Sequence, residues 1–229
     1  MSVSGQESRH GRLGIRWSTT AGPTVEPITL ADVRSHRRLD SDDTTQDVLI
    51  ALLIQMAREY AESFTGLGFI SQQRRMTLDG FPGIVLPLTP FAGVAAWLPT
   101  PQPSPEIGVQ YGPLMSVDSI TYLDAVGTLQ TLAPTVYTVD KSGIFPRISL
   151  AYGQQWPDTL PQIGSVAINV TLGFGTTAAQ VPAGIRHWLL MRVGTAFENR
   201  EEVAILNRGK VEALPFVDGL LDPYKQPVI

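Results

Sequence analysis

Apolar positions change rhythm twice along this chain, and the changes divide it into three stretches. From Pro27 to Gly68 the spacing is helical. Ile28-Thr29-Leu30-Ala31-Asp32-Val33 opens a short helix. Thr29 can cap it, Asp32 can return the capping bond three residues on, and Leu30 and Val33 share a face. This helix is expected to end near Leu39-Asp40. A second follows Asp42-Asp43-Thr44, whose carboxylates suit a helix N-terminus. Leu49, Leu52, Leu53, Met56, Tyr60 and Phe64 recur at core spacing, and Gln55, Arg58, Glu59 and Glu62 are assigned to the polar face. Gly66 and Gly68 stop the helix after about six turns.

From Phe69 to about Gly175 the rhythm is that of strands. Ile70–Leu78, Ile84–Leu86, Val117–Leu123, Leu129–Leu132, Tyr137–Val139, Ile144–Leu150 and Val166–Leu172 are separated by turn residues, with Asp124-Ala125-Val126-Gly127 as a hairpin turn. The proline-rich stretch 91–113 interrupts them with Pro99, Pro101, Pro103, Pro105 and Gly108. Two readings fit it equally: a stiff projecting arm whose aromatics Phe91, Trp97 and Tyr111 touch a neighbour, or a floppy insertion. Helical spacing returns after Val181-Pro182, with proline at the first helical position. Ile185, Leu189, Val193 and Phe197 line one face, and Trp188 and Ala196 widen it. Leu214–Leu221 is expected to form a last short helix.

The fold class this predicts is α+β. N- and C-terminal helices pack as a small bundle, and an antiparallel β-sandwich or barrel-like module is inserted between them. The segments are a flexible N-terminal arm (1–25), a helical core (26–68 and 181–221), the β module (69–180) and a C-terminal tail (222–229).

Composition narrows the function. The 229 residues are 43% hydrophobic with mean hydropathy +0.07, enough for a buried core. No apolar run approaches the roughly 20 residues that span a bilayer, so no membrane role is expected. The N-terminal residues carry no secretory pattern. With no cysteine, disulfides, thiolate metal sites and cysteine nucleophiles are excluded, which fits synthesis in a cytoplasm. A net charge of −4 argues against a dedicated nucleic-acid binder. Charged residues are 17% of the chain, below the roughly 25% of average domains, as suits a surface covered by neighbours. Apart from Lys141, Lys210 and Lys225 the cations are arginines, which suit interface ion pairs as well as a GC-rich coding sequence.

Catalytic chemistry is not evident. His10, His36 and His187 have no partner spacing, and no metalloprotease, phosphate-loop or nucleophile-elbow motif occurs. Gly173-Phe174-Gly175 lacks the full phosphate-binding fingerprint and reads as a loop before a helix. Asp42-Asp43 and Glu201-Glu202 are assigned to helix ends. No catalytic site, cofactor or metal is expected.

The order of several short motifs resembles the head–tail connector (adaptor) family of tailed bacteriophages. Glu26-Pro27-Ile28-Thr29-Leu30-Ala31-Asp32-Val33 is similar to that family's opening, and Leu52–Glu62 leading to Phe64-Thr65-Gly66 to its second helix. Leu78-Asp79-Gly80-Phe81-Pro82, Ser119–Asp124 and Tyr137–Asp140 continue the likeness. Val181–Arg186, Phe197–Glu201, Leu214-Pro215 and Leu221–Lys225 complete it, over roughly residues 26–225. The first 24 residues and the proline-rich arm depart from the family pattern.

The resemblance implies a structural virion protein, made in a bacterial cytoplasm and placed in the neck. It would form a ring of about twelve copies under the portal protein. It would join a stopper or tail-terminator protein on the other side, and DNA would pass through the lumen without specific binding. It also implies a C-terminal segment that reaches the portal, here Leu221, Asp222, Pro223, Tyr224 and Lys225 with Val228 and Ile229. Two other readings stay open at this point: a stopper or tail-completion protein of the neck, and a β-sandwich ligand-binding module with helical flanks.

Overall fold

The computed structural model describes residues 14–40, 44–82, 106–143, 146–199 and 219–225. Among these residues three helices and eight strands follow in the order β1 (Arg16–Ala21), α1 (Leu30–Arg37), α2 (Asp47–Thr65), β2 (Gln72–Leu78), β3 (Ile107–Gly108), β4 (Leu114–Leu123), β5 (Leu129–Thr131), β6 (Tyr137–Asp140), β7 (Arg147–Leu150), β8 (Val166–Leu172) and α3 (Ala183–Glu198). Single 3-10 turns lie at Ala178–Gln180 and Asp222–Tyr224. The chain is α+β with an inserted sheet module, and its described strands form two open sheets rather than a closed barrel.

Two compact units result. The first takes residues 1–20, 73–109 and 116–171, and the second 21–72, 110–115 and 172–229. In the first, one sheet has the order β1-β2-β8-β4-β5 and the other β3-β7-β6. β4 and β5 pair antiparallel, Thr121 opposite Thr131 and Leu123 opposite Leu129. β7 pairs antiparallel with β3 and β6, so Ile148 lies opposite Ile107 on one side and Val139 on the other. β8 buries every second residue (Val166, Ile168, Val170, Leu172), the signature of a strand with one face on a core. Phe81 stacks on Trp156 and meets Tyr122 edge-on. The described part of the expected N-terminal arm contains β1. Arg16 holds Asp79 at 3.0 Å, and the Asp79 carboxylate also accepts the Gly164 N–H.

In the second unit the described helices α1, α2 and α3 pack on one another. α1 starts at the expected capping box: the Thr29 hydroxyl accepts the Asp32 N–H and the Asp32 carboxylate accepts the Thr29 N–H. It ends at Arg37, with Arg38 left-handed. Arg34 pairs with Asp47 of α2, and Arg37 with Glu198 of α3. α2 is about five turns long and ends on left-handed Gly66. Pro182 is the N-cap of α3 rather than its first helical residue. Ile28, Val33, Ile50, Ile54, Ala57, Ala61, Phe69, Ile185, Trp188, Leu189, Val193 and Leu221 form one core cluster with their neighbours.

The burial of α2 corrects the expected face. Leu53 is buried, and Leu49 and Phe64 pack on the core as expected. Leu52, Met56 and Tyr60 face outward, while Ile50, Ile54, Ala57 and Ala61 take the inward positions. The expected polar face also splits, because Gln55 and Glu59 are exposed whereas Arg58 and Glu62 are buried. The helix is apolar on both sides, so spacing alone admits either orientation.

The expected strand Ile84–Leu86 and the first two residues of the expected strand Ile144–Leu150 lie outside the described residues, and the rest of the latter contains β7. Also outside are Asp42-Asp43, Glu201-Glu202, residues 91–105 of the proline-rich stretch and residues 214–218. Residues 106–113 of that stretch are described and include β3.

Candidate functional site

Three features of the helical unit bear on function: an inward ion network, an outward apolar face, and a docked C-terminal segment.

The network is built on Arg58 and Glu62, one turn apart on α2 and 7% and 4% exposed. Arg58 donates through Nε to Glu26 at 2.7 Å and through Nη1 to Glu62 at 3.2 Å. The other oxygen of Glu62 accepts the Phe69 N–H at 2.8 Å and the Gln72 amide at 2.9 Å. Every oxygen of Glu62 is therefore occupied, which is the condition for a buried carboxylate to persist. Burial works against the Arg58 charge, but the hydrogen bond to Glu26 and the charges of Glu26, Glu62 and Glu59 outweigh it and raise its pKa. The partners come from the segment before α1, from α2 and from the entry to β2. The network is a clamp between chain segments, and its partly exposed member Glu26 also lines the groove beside α2. Its sequence signal was the Arg58/Glu62 spacing of four, masked by the apolar residues on the opposite face.

Gly173 completes this corner. A Cβ there would lie 2.7 Å from the Ile70 carbonyl carbon and the Ser71 nitrogen, and its φ is +139°. Phe174 N–H donates to Phe69 O, and Ser71 N–H to Gly175 O. Gly173-Phe174-Gly175 is a loop that lets two stretches of backbone approach closely, a use that the loop reading did not foresee.

On its outward side α2 presents Val48, Leu52, Met56 and Tyr60, which are 86%, 61%, 47% and 51% exposed. Tyr60 is covered on one flank by stacking on Phe64 and Trp188 and by the Arg192 guanidinium 5.5 Å from its ring. Beside this row lies an open groove of about 680 Å³ lined by Val25, Ile28, Leu30, Ala51, Leu52 and Ala178, among others. Its lining is mostly apolar.

Of the residues expected to contact the portal, Leu221 is fully buried in the core of its own unit. Tyr224 packs against that core near Gly184, and the Lys225 ammonium lies 4.2 Å from the centre of the Phe64 ring. Asp222 and Pro223 form the 3-10 turn with Tyr224. Val228 and Ile229 lie outside the described residues, as do Phe91 and Trp97. Tyr111 is half-buried beside Gly112, whose backbone pairs with Leu67 and Gly68 at the end of α2.

His36 and His187 are exposed on α1 and α3. Among the described residues no group of three His, Cys, Asp or Glu side chains could hold a metal, and no helix is long and apolar enough to cross a membrane.

Residues 27–87 match the family described as phage gp6-like head-tail connector protein, so the family resemblance holds over that stretch. No curated protein matches the chain by sequence. Solved structures extend the likeness in fold. A chain in the neck of an empty gene transfer agent (GTA) particle, computed with C6 symmetry, aligns with a TM-score of 0.68 at 20% identity. That alignment covers 93% of this chain and 96% of the other. A chain in the virion of the native GTA particle aligns at 0.69 and 20%, covering 92% and 95%. One in the native neck computed with C12 symmetry aligns at 0.59 and 20%, covering 93% and 95%.

Proposed function

We propose that this chain is a head–tail connector, a structural subunit in the neck of a phage-like particle. One coincidence carries the reading. The connector-family match falls on 27–87, which holds α1, α2 and β2, and 92–93% of the chain aligns in fold with chains from GTA necks and virions. The protein acts by occupying a place in an assembly and performs no catalysis. Its clamp of buried ions and its low surface charge suit a rigid, largely covered part.

In the finer reading, copies form a ring of about twelve beneath the portal protein. A stopper or tail-terminator protein binds the opposite side, and DNA passes through the lumen. The neck structures of like fold were computed with six- and twelve-fold symmetry, which favours a ring. The acidic balance of the chain favours a lumen that DNA slides through, since tight phosphate binding needs many Lys and Arg contacts. Residues 222–229 act as the portal-directed tail, with Leu221 buried in the subunit as its anchor. Phe91, Trp97 and Tyr111 contact a neighbour or the tail side.

Deleting the chain in its producing host tests the reading. DNA-filled heads and free tails that no longer join are the expected result. Particles that remain joined would reject it.

A further inference from the structure

We infer that the outward ridge of α2, running through Val48, Leu52, Met56 and Tyr60, is the seat of a second copy of this chain. The inference rests on the ring reading above and adds the surface through which neighbouring copies meet.

The four residues are spaced by four, so they form one continuous ridge about 18 Å long. An i±4 ridge of this kind is what fits the groove of another packed element in common helix packing. A surface helix is normally polar on its solvent side, and a helix that is apolar all round is normally enclosed. The side of α2 that carries Ile50, Ile54, Ala57 and Ala61 is already enclosed, and nothing described encloses Val48, Leu52 and Met56. The groove lined by Val25, Leu30 and Ala51 shares Leu52 with the ridge and extends the same patch.

Area and charge select the occupant. The exposed parts of the ridge amount to roughly 400 Å² of apolar surface, at the size where a monomer's patch is usually functional. A standard interface covers about 800 Å² per partner, a little over half of it apolar, so the ridge supplies nearly the whole apolar share of one side. The exposed positions of α2 are Val48, Ala51, Leu52, Gln55, Met56, Glu59, Tyr60 and Ser63, with one carboxylate and no cation between them. Arg192 lies over Tyr60 at one end of the ridge, but DNA or an anionic membrane needs many such cations and finds none at the exposed positions of α2 itself. Copies that each carry a net charge of −4 repel one another, and a charge-poor face is where they can approach. A closed ring needs a heterologous contact, so the ridge of one copy meets a different surface of the next.

The test uses particles assembled in the producing cell, with the photo-crosslinker p-benzoylphenylalanine replacing Met56. Irradiation is expected to yield a product of two copies of this chain, identified by mass spectrometry. A product joined to a different polypeptide, a crosslink confined to one copy, or no product overturns the inference. A second arm pairs Leu52→Lys with Met56→Lys. Exposed positions tolerate lysine, so the purified variant should melt within about 2 °C of the wild type. Its incorporation into particles should nevertheless fall at least tenfold. Normal incorporation, or a large fall in melting temperature showing that the ridge packs within one copy, counts against it. The two readings fail separately. Absence of the wild-type chain from purified particles removes the connector reading. Its presence with a probe that misses the second copy removes only this surface.

Discussion

Replacing Arg58 with methionine tests the buried clamp most sharply. The substitution keeps a long apolar stem and removes the guanidinium. Glu62, 4% exposed, keeps the Phe69 N–H and the Gln72 amide but loses its counter-charge. Stranding one member of a buried ion pair costs about 3–5 kcal/mol. Glu26 is partly exposed, so water screens its share and the low end, about 3 kcal/mol, is expected. For a domain of this size each kcal/mol moves the melting temperature by about 2–4 °C, giving a fall of about 6–12 °C. Two controls separate charge from hydrogen bonding. Glu62→Gln keeps an acceptor for the Phe69 N–H and should cost less, about 1–2 kcal/mol. Glu59→Gln removes a mostly exposed carboxylate 3.7 Å from Arg58 and should change stability by under about 0.5 kcal/mol. Differential scanning calorimetry of the full chain reads all three. Salt should barely alter the Arg58→Met deficit, because buried pairs are little screened. If Arg58→Met melts within 2 °C of the wild type, the clamp contributes no stability and the reasoning fails.

Two glycines should respond oppositely in the same calorimetry. Gly173→Ala drives a Cβ into the Ile70–Ser71 backbone and should cost about 2 kcal/mol or more, whereas Gly184→Ala meets the Tyr224 ring and hydroxyl at 3.6 Å and the Leu220 carbonyl oxygen at 3.8 Å, ordinary contacts, and should gain up to about 1 kcal/mol in helix propensity. The Asp124 carboxyl is held below its ordinary value of 3.8 by the Thr128 N–H first and the Gln130 side chain next, so its support of the β4–β5 turn is present above that value and lost as pH falls through the lowered one. An NMR titration of Asp124 with a midpoint at or above 3.8 would contradict this. Removing residues 222–229 should leave a folded protein, because Leu221 remains, and should abolish portal capture in a pull-down; unchanged capture rejects the portal role of the tail.

Local chemistry was the most legible part of the sequence. The Thr29–Asp32 capping box and the alternation of β8 involve neighbours within a few residues, and both elements start where the pattern puts them. The core of α3 was legible as well, since Ile185, Trp188, Leu189 and Val193 share one face. α2 was not, because apolar residues lie on two faces and periodicity cannot say which one the rest of the chain covers. That ambiguity hid the burial of Arg58 and Glu62, whose partners Glu26, Phe69 and Gln72 come from other segments. It also hid the exposed ridge. The tail residue Leu221 reads as part of a terminal segment, yet tertiary packing alone decides that it closes the helical core.

Imaging the portal vertex of the assembled particle by cryo-electron microscopy tests the central claim most directly. The account predicts density for this α+β fold, repeated around the axis between head and tail, with each α2 ridge covered by the adjacent copy. A neck filled by other proteins, with this chain absent from it or located elsewhere in the particle, would contradict the account.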